Sequence, residues 1–183
     1  MSDGKRIRTI RGVLDLNGPM KKTISLKVNG LERNVEVEPR MTLLDLVRDQ
    51  FGLTGAKLGC DIQVCGACTL LLDGKPVSAC SFLAVDADGC EVLTVEGLSA
   101  NGKLHPVQEA FMEFGALQCG YCTSGFILSA KALLDECDQP SEQQIRDYLA
   151  GNFCRCGCYQ EIMQAVKEVS GQVSAPGCHF KID

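Results

Sequence analysis

The sequence predicts an α+β chain of two units, a strand-rich half reaching to about residue 98 and a helical half from there to about residue 170. Three observations predict this. Two stretches of alternating apolar and polar residues are interrupted by Asn29-Gly30 and Asp73-Gly74, the strongest short-range signals for β-hairpins. After Gly97 the apolar period lengthens toward that of a helix. The cysteines also fall into two groups of different spacing, one in each half. A length of 183 residues fits one large domain or two small ones.

The first hairpin is "TISLKVNG" followed by "RNVEVEP", with Val35 and Val37 on one face and Pro39 ending the second strand. Thr42 then reads as a helix cap, with Asp45 three residues on and Leu43, Leu46 and Val47 as the apolar stripe. Gly52 and Gly55 break this helix. "TLLLDGKPVSAC" reads as a strand, a turn and a second strand, and "CEVLTVEGL" as one more. These elements make a small mixed sheet packed on one helix.

Pro106 opens the first helix of the second half, with Val107, Ala110, Phe111 and Phe114 at helical spacing and Gly115 closing it. A second helix runs from about Ser124 to Cys137, with Phe126, Ala130, Leu133, Leu134 and Cys137 inward. A third starts at the capping box Ser141/Gln144, buries Ile145, Tyr148 and Leu149, and stops at Gly151. A fourth covers Tyr159 to Ser170 and buries Ile162, Ala165, Val166 and Val169. No repeat and no low-complexity segment occurs.

The formal charge of −5 excludes a strongly basic nucleic-acid binder. Lys5, Arg6, Arg8 and Arg11 read as a solvated, mobile arm. No apolar run reaches the length of a membrane span, and the first twenty residues lack the apolar middle of a secretory signal, so a cytoplasmic protein is expected. In a reducing compartment, twelve cysteines at close spacings point to metal or redox work rather than to disulfides.

Cys60, Cys65, Cys68 and Cys80 have the spacing C-x4-C-x2-C-x11-C, whose first three members match the plant-type [2Fe–2S] loop. A cluster attracts inward-pointing backbone N–H groups. No proline occurs from residue 41 to 75, and Gly59, Gly66 and Ala67 let the backbone come close. Cys80 is expected at the end of a strand, which would hold it rigidly. Zinc is the competing occupant, but its structural sites present two short-loop pairs rather than three ligands and one.

The second group pairs Cys119 with Cys122 and Cys154 with Cys156, with 31 residues between the pairs. An antiparallel helix pair in that gap would bring both to one end of a bundle. Cys122 lies just before a helix, whose N–H groups are expected to favour its thiolate. By spacing alone this group suits zinc as well as a cluster. A ferredoxin-like loop in the same chain favours the cluster.

The segments "GCDIQVCGACTLLLDG", "QCGYCTSG" and "GNFCRC", the last followed by Tyr159, closely resemble the iron–sulfur subunit of the xanthine dehydrogenase family, the molybdenum hydroxylases, over residues 23–169. The resemblance implies a β-grasp ferredoxin-like domain over residues 23–98 and an all-α four-helix domain over residues 99–170. Residues 1–22 are then an N-terminal extension and residues 171–183 a C-terminal tail. It implies that Cys60, Cys65, Cys68 and Cys80 ligate one [2Fe–2S] cluster, nearer a flavin. Cys119, Cys122, Cys154 and Cys156 would ligate a second, nearer a molybdenum–pterin cofactor that Gln118 and Cys156 contact.

The implied activity is electron transfer, one electron at a time, from the molybdenum centre toward FAD, with no catalytic residue in this chain. The implied partners are a large molybdenum-cofactor subunit and a medium FAD-binding subunit, in a dimer of heterotrimers. From other classes, a zinc-stabilised binding module and a free two-cluster ferredoxin are the competing readings.

The chain departs from the family pattern at three places. Ser124 replaces a proline and is able to cap the helix, which would shift its start. Cys158 adds a thiol beside the C-x-C pair and reads as a small substitution. Gln63 stands where many members have glycine. Cys90 and Cys137 read as small buried hydrophobes. Cys178 and His179 read as an incidental exposed pair, and His105 as structural. No phosphate loop and no G-x-G-x-x-G is found.

Overall fold

A computed structural model of the chain describes residues 20–170. The basic arm at Lys5 to Arg11 and the tail with Cys178 and His179 lie outside the described residues.

Strands β1 (Lys22–Val28) and β2 (Leu31–Val37) form an antiparallel hairpin with Val28 opposite Leu31. Asn29 (φ 50) and Gly30 (φ 80) are both left-handed, the turn geometry that matches the twist of the flanking strands. Strands β3 (Thr69–Leu72) and β4 (Lys75–Ser78) repeat the device through Asp73 (φ 49) and Gly74 (φ 81). Strand β5 (Glu91–Leu93) lies between the hairpins, parallel to β1 and antiparallel to β3, giving the order β2-β1-β5-β3-β4. On β1, Ile24, Leu26 and Val28 are buried and alternate with more open positions, as a half-buried strand requires.

Strand β5 is shorter than its apolar pattern suggests. After Leu93 the chain leaves the ladder. Thr94 N–H donates to Asn29 Oδ1 (2.9 Å), Asn29 Nδ2 donates to Thr94 Oγ1 (3.0 Å), and Val95–Leu98 coil into a 3₁₀ turn.

The expected cap at Thr42 is present: its hydroxyl accepts from Asp45 N–H, and the Asp45 carboxylate accepts from Thr42 N–H. Helix α1 (Leu43–Asp45) continues as a wider π turn over Leu46–Gln50, closed by Phe51 N–H donating to Leu46 O (3.3 Å). Leu43, Leu46 and Val47 are buried as the stripe predicts.

Beyond Leu98 the chain is helical, with α2 (Pro106–Glu113), α3 (Thr123–Glu136), α4 (Glu142–Tyr148) and α5 (Tyr159–Val169). The described residues thus carry five α-helices, of which α1 belongs with the sheet. His105 is structural: its Nδ1 caps α2 by accepting from Val107 N–H (3.3 Å), and Gln108 Oε1 accepts from His105 N–H (2.9 Å). Ser141 and Gln144 form the expected capping box of α4. Helix α5 buries Ile162, Ala165, Val166 and Val169, the predicted set.

Ser124 does not cap α3. The helix begins one residue earlier, and Ser124 Oγ instead donates to Gly55 O (2.7 Å) in the strand-rich half. Helix α3 packs on β3 and β4, and one continuous core runs through both halves. The architecture is therefore α+β, a mixed ferredoxin-like sheet plus helices. Among the described residues no helix is long and apolar enough to cross a membrane.

Candidate metal centres

The first cysteine loop is shaped by alternating left-handed residues. Asp61 (φ 59), Gln63 (φ 62) and Gly66 (φ 66) turn the backbone so that successive N–H groups converge. Three of them reach Cys60 Sγ, from Ile62 (3.5 Å), Val64 (3.3 Å) and Cys65 (3.3 Å). Led by the Ile62 and Val64 N–H groups, they draw the Cys60 pKa down to about 7. Gly59 passes so close that an added Cβ would stand 2.7 Å from Cys65 Sγ.

The Cys65 side chain lies close enough to Cys60 to act on its ionisation, and the Cys80 side chain close enough to act on that of Cys68. Burial, followed by the Cys80 thiol, pushes Cys68 up to about 11. Cys80 is not on a strand, as the sequence suggested. Strand β4 ends at Ser78, and the turn that follows is held by the free N–H groups at the start of α1. Leu44 N–H donates to Ala79 O (3.0 Å) and Leu43 N–H to Phe82 O (2.7 Å). A helix terminus thus supplies the rigidity expected of a strand.

In the helical half, the Cys119–Cys122 and Cys154–Cys156 segments meet. The Cys156 side chain acts on the ionisation of Cys119, and the Cys154 side chain on that of Cys122. The Tyr121 N–H and then the Cys156 thiol lower the Cys119 pKa. Burial opposes ionisation of Cys154, but the Cys158 N–H, the Cys122 thiol and the Cys156 and Gly157 N–H groups outweigh it, and the pKa falls. Cys122 behaves otherwise than its place before α3 suggests. Burial first, and then the Cys154 side chain, push it up to about 12, so the helix N–H groups do not decide its state. Gln118 Nε2 reaches Cys156 O at 3.5 Å, and both residues are exposed.

The eight thiols therefore stand as four pairs. In each site one pair is more exposed (Cys60/Cys65 and Cys119/Cys156) and the other deeper (Cys68/Cys80 and Cys122/Cys154). Among the described residues no three His, Cys, Asp or Glu side chains close on a point for a single metal ion. A [2Fe–2S] group takes four thiolates, two on each iron. Two pairs per site, with N–H donors aimed at sulfur, fit such a group.

The two sites are tied together by residues that sequence reasoning missed. Phe153 N–H donates to Cys65 O (2.9 Å), Asn152 Nδ2 to Gly66 O (3.1 Å), and Tyr121 OH to Leu58 O (2.6 Å). These partners are separated by 63 or more positions, so no local pattern marks them. The one signal in the sequence was Asn152 itself, a polar residue flanking the C-x-C pair, here buried to 7 % exposure.

Of the remaining thiols, Cys158 is buried at the start of α5, where burial and then the neighbouring Cys154 side chain raise its pKa. Cys90 is only half-buried, with its Sγ 3.9 Å from Asp88 O, and is not the core residue expected. Cys137 is fully buried in the core, as expected, and is also disulfide-bonded.

Comparison with known proteins agrees with this geometry. Residues 26–94 match the 2Fe-2S iron-sulfur cluster binding domain family, and residues 94–167 match the [2Fe-2S] binding domain family. The chain is 48% identical over 147 residues to the nicotinate dehydrogenase small FeS subunit of Eubacterium barkeri, covering 80% of this chain and 94% of that one. It is 44% identical over 157 residues to a subunit of a probable xanthine dehydrogenase from Bacillus subtilis, covering 85% and 90%. Among solved structures, a chain of quinoline 2-oxidoreductase from Pseudomonas putida 86 superposes with a TM-score of 0.79 at 45% identity, over 82% of this chain and 93% of that one. Two cluster-binding domain matches in one chain, with relatives covered over 90% or more of their length, place it in the family of iron–sulfur small subunits of the xanthine dehydrogenase, or molybdenum hydroxylase, enzymes.

Proposed function

We propose that Cys60, Cys65, Cys68 and Cys80 hold one [2Fe–2S] cluster and that Cys119, Cys122, Cys154 and Cys156 hold the other. The arrangement of the thiols in four pairs carries this reading: Cys60 with Cys65, Cys68 with Cys80, Cys119 with Cys156, and Cys122 with Cys154, each pair on one iron. Residues 23–98 and 99–170 are then a β-grasp ferredoxin-like domain and a four-helix domain, each with its own site.

The protein is the electron-transfer subunit of a molybdenum-cofactor oxidoreductase whose active site lies on another subunit. Bound [2Fe–2S] groups supply one-electron redox chemistry. The chain's residues hold those groups and join them. Cys154 follows Phe153, whose N–H meets the Cys65 carbonyl at 2.9 Å, so one hydrogen bond connects the two thiol sites.

The exposed pair Cys119/Cys156, with Gln118 beside it, is the side proposed to meet the molybdenum–pterin of a large subunit. The more open Cys60/Cys65 side, flanked by Ile62 (69 % exposed) and Val64 (65 %), is proposed to face an FAD-binding subunit. A dimer of heterotrimers is the assembly this reading favours. Relatives 44–48% identical are named for nicotinate and for xanthine, so substrate choice is assigned to the partner rather than to this chain.

Metal analysis with EPR tests the reading. The purified chain should hold about four iron and about four labile sulfide. Replacing Cys119 or Cys154 with Ser should remove one EPR signal and keep the other. A colourless protein holding zinc, or two unaltered signals in those variants, would sink the ligand assignment.

A further inference from the structure

We infer that Asn152, in the helical half and two positions before Cys154, is a positioning residue for the loop that carries Cys60, Cys65 and Cys68. The inference rests on the ligand assignment proposed above and concerns what keeps the first of the two sites in shape.

Asn152 has both ends of its amide engaged. Its Nδ2 donates to Gly66 O (3.1 Å), and its Oδ1 accepts from Ser129 Oγ (2.8 Å) on α3. A carbonyl only accepts, so the nitrogen must face Gly66, and the oxygen is left for the Ser129 hydroxyl. Ser129 is buried too, so neither bond competes with water. Next in the chain, Phe153 N–H donates to Cys65 O (2.9 Å). Two successive residues of the helical half therefore hold two successive carbonyls of the cysteine loop.

Gly66 is shaped for this grip. It is left-handed (φ 66), and a Cβ there would run into the Asn152 amide and stand 2.5 Å from Gly151 O. A Cβ on Gly125 of α3 would collide with Gly66 O. The same carbonyl accepts from Thr69 N–H (3.1 Å) and Thr69 Oγ1 (2.8 Å), which start β3.

In a planar trans peptide the N–H points opposite to the C=O. Holding the carbonyls of Cys65 and Gly66 toward the helical half turns the N–H groups of Gly66 and Ala67 away from Asn152 and into the cysteine loop. Hydrogen bonds to cluster sulfurs are one determinant of reduction potential, since donors stabilise the more negative reduced state. Asn152 thus acts on the first site through the peptides it orients, without touching a ligand side chain of that site.

The test is EPR-monitored redox titration of the assembled enzyme carrying Asn152→Asp. This variant is isosteric and keeps an acceptor for Ser129, but it sets an oxygen against Gly66 O. The signal altered by Cys68→Ser identifies the first site. In Asn152→Asp that signal should move to lower potential and broaden, while the other keeps its g values and potential. Ser129→Ala, which frees the amide without removing it, should shift the first-site potential the same way by less.

An unmoved first-site potential in both variants overturns the inference. So does a change confined to the second site, since Asn152 would then serve its neighbour Cys154. If Asn152→Asp fails to assemble, Ser129→Ala decides alone. A wild-type enzyme without two signals would instead sink the ligand assignment, not the role of Asn152.

Discussion

Gly59 lies against the Cys65 sulfur, and a methyl group there would stand 2.7 Å from it. That contact is far inside van der Waals range, and both partners belong to a loop already held by its own N–H groups. Gly59→Ala is therefore expected to cost the first site its cluster and spare the second. Iron per chain should fall from about four to about two, with one EPR signal left. Full iron content with both signals would contradict it. Gln63 offers the opposite case. It is left-handed (φ 62), which costs a non-glycine residue about 1–2 kcal/mol. Glycine removes that strain but loses about 1 kcal/mol through the freedom of the unfolded chain. Gln63→Gly should leave both EPR signals intact and change stability by about 1 kcal/mol or less in a denaturant melt. Sequence reasoning noted glycine as the usual residue here, but the reason is a backbone angle that only the folded loop reveals.

Helix starts were the most legible elements. Thr42/Asp45 and Ser141/Gln144 satisfy N–H groups within four residues of themselves, so the sequence window contains the whole interaction. Ser141→Ala should lower stability by about 1 kcal/mol in thermal or denaturant unfolding. Ser124 misled for the same reason. Its partner, Gly55 O, is 69 positions away, and no window contains both. His105 caps α2 through a neutral Nδ1. Burial, and then the Lys131 charge, hold its pKa below the usual histidine value, against a smaller opposing pull from Asp135. The unfolded chain thus takes up a proton more readily than the folded one. The cap's contribution is present above about pH 6.5 and is lost as pH falls through the lower folded value. His105→Asn keeps a capping acceptor that does not titrate, so the variant should lose less stability than wild type on acidification from pH 7 to 5. Equal acid sensitivity would contradict the role.

Over the whole molecule, the two halves act as one body because α3 packs on β3 and β4 and the core runs unbroken between them. Gly125 of α3 sits against the cysteine loop, where an added Cβ would collide with Gly66 O. Gly125→Ala should force α3 away from Gly66 and weaken both sites, seen as loss of both visible bands or a drop in melting temperature. Bound metal stabilises whichever state holds it. Removing iron with a chelator under anaerobic conditions should therefore lower the melting temperature of the entire chain, in one transition rather than two. Two separate transitions would show that the halves unfold independently.

The sequence by itself determined the hairpins, the helices and the two groups of thiols, because each rests on residues within one turn or one loop of each other. Cysteine spacing marked the eight thiols as the residues to watch, and the family resemblance added Gln118. Tertiary structure alone decided how the thiols pair, that the Cys80 turn rests on the start of α1, and that Asn152 and Phe153 grip the loop of the other half. Those contacts join residues 86 or more positions apart in the case of Asn152 and Phe153, and only the packing of α3 against the sheet brings them within hydrogen-bonding distance.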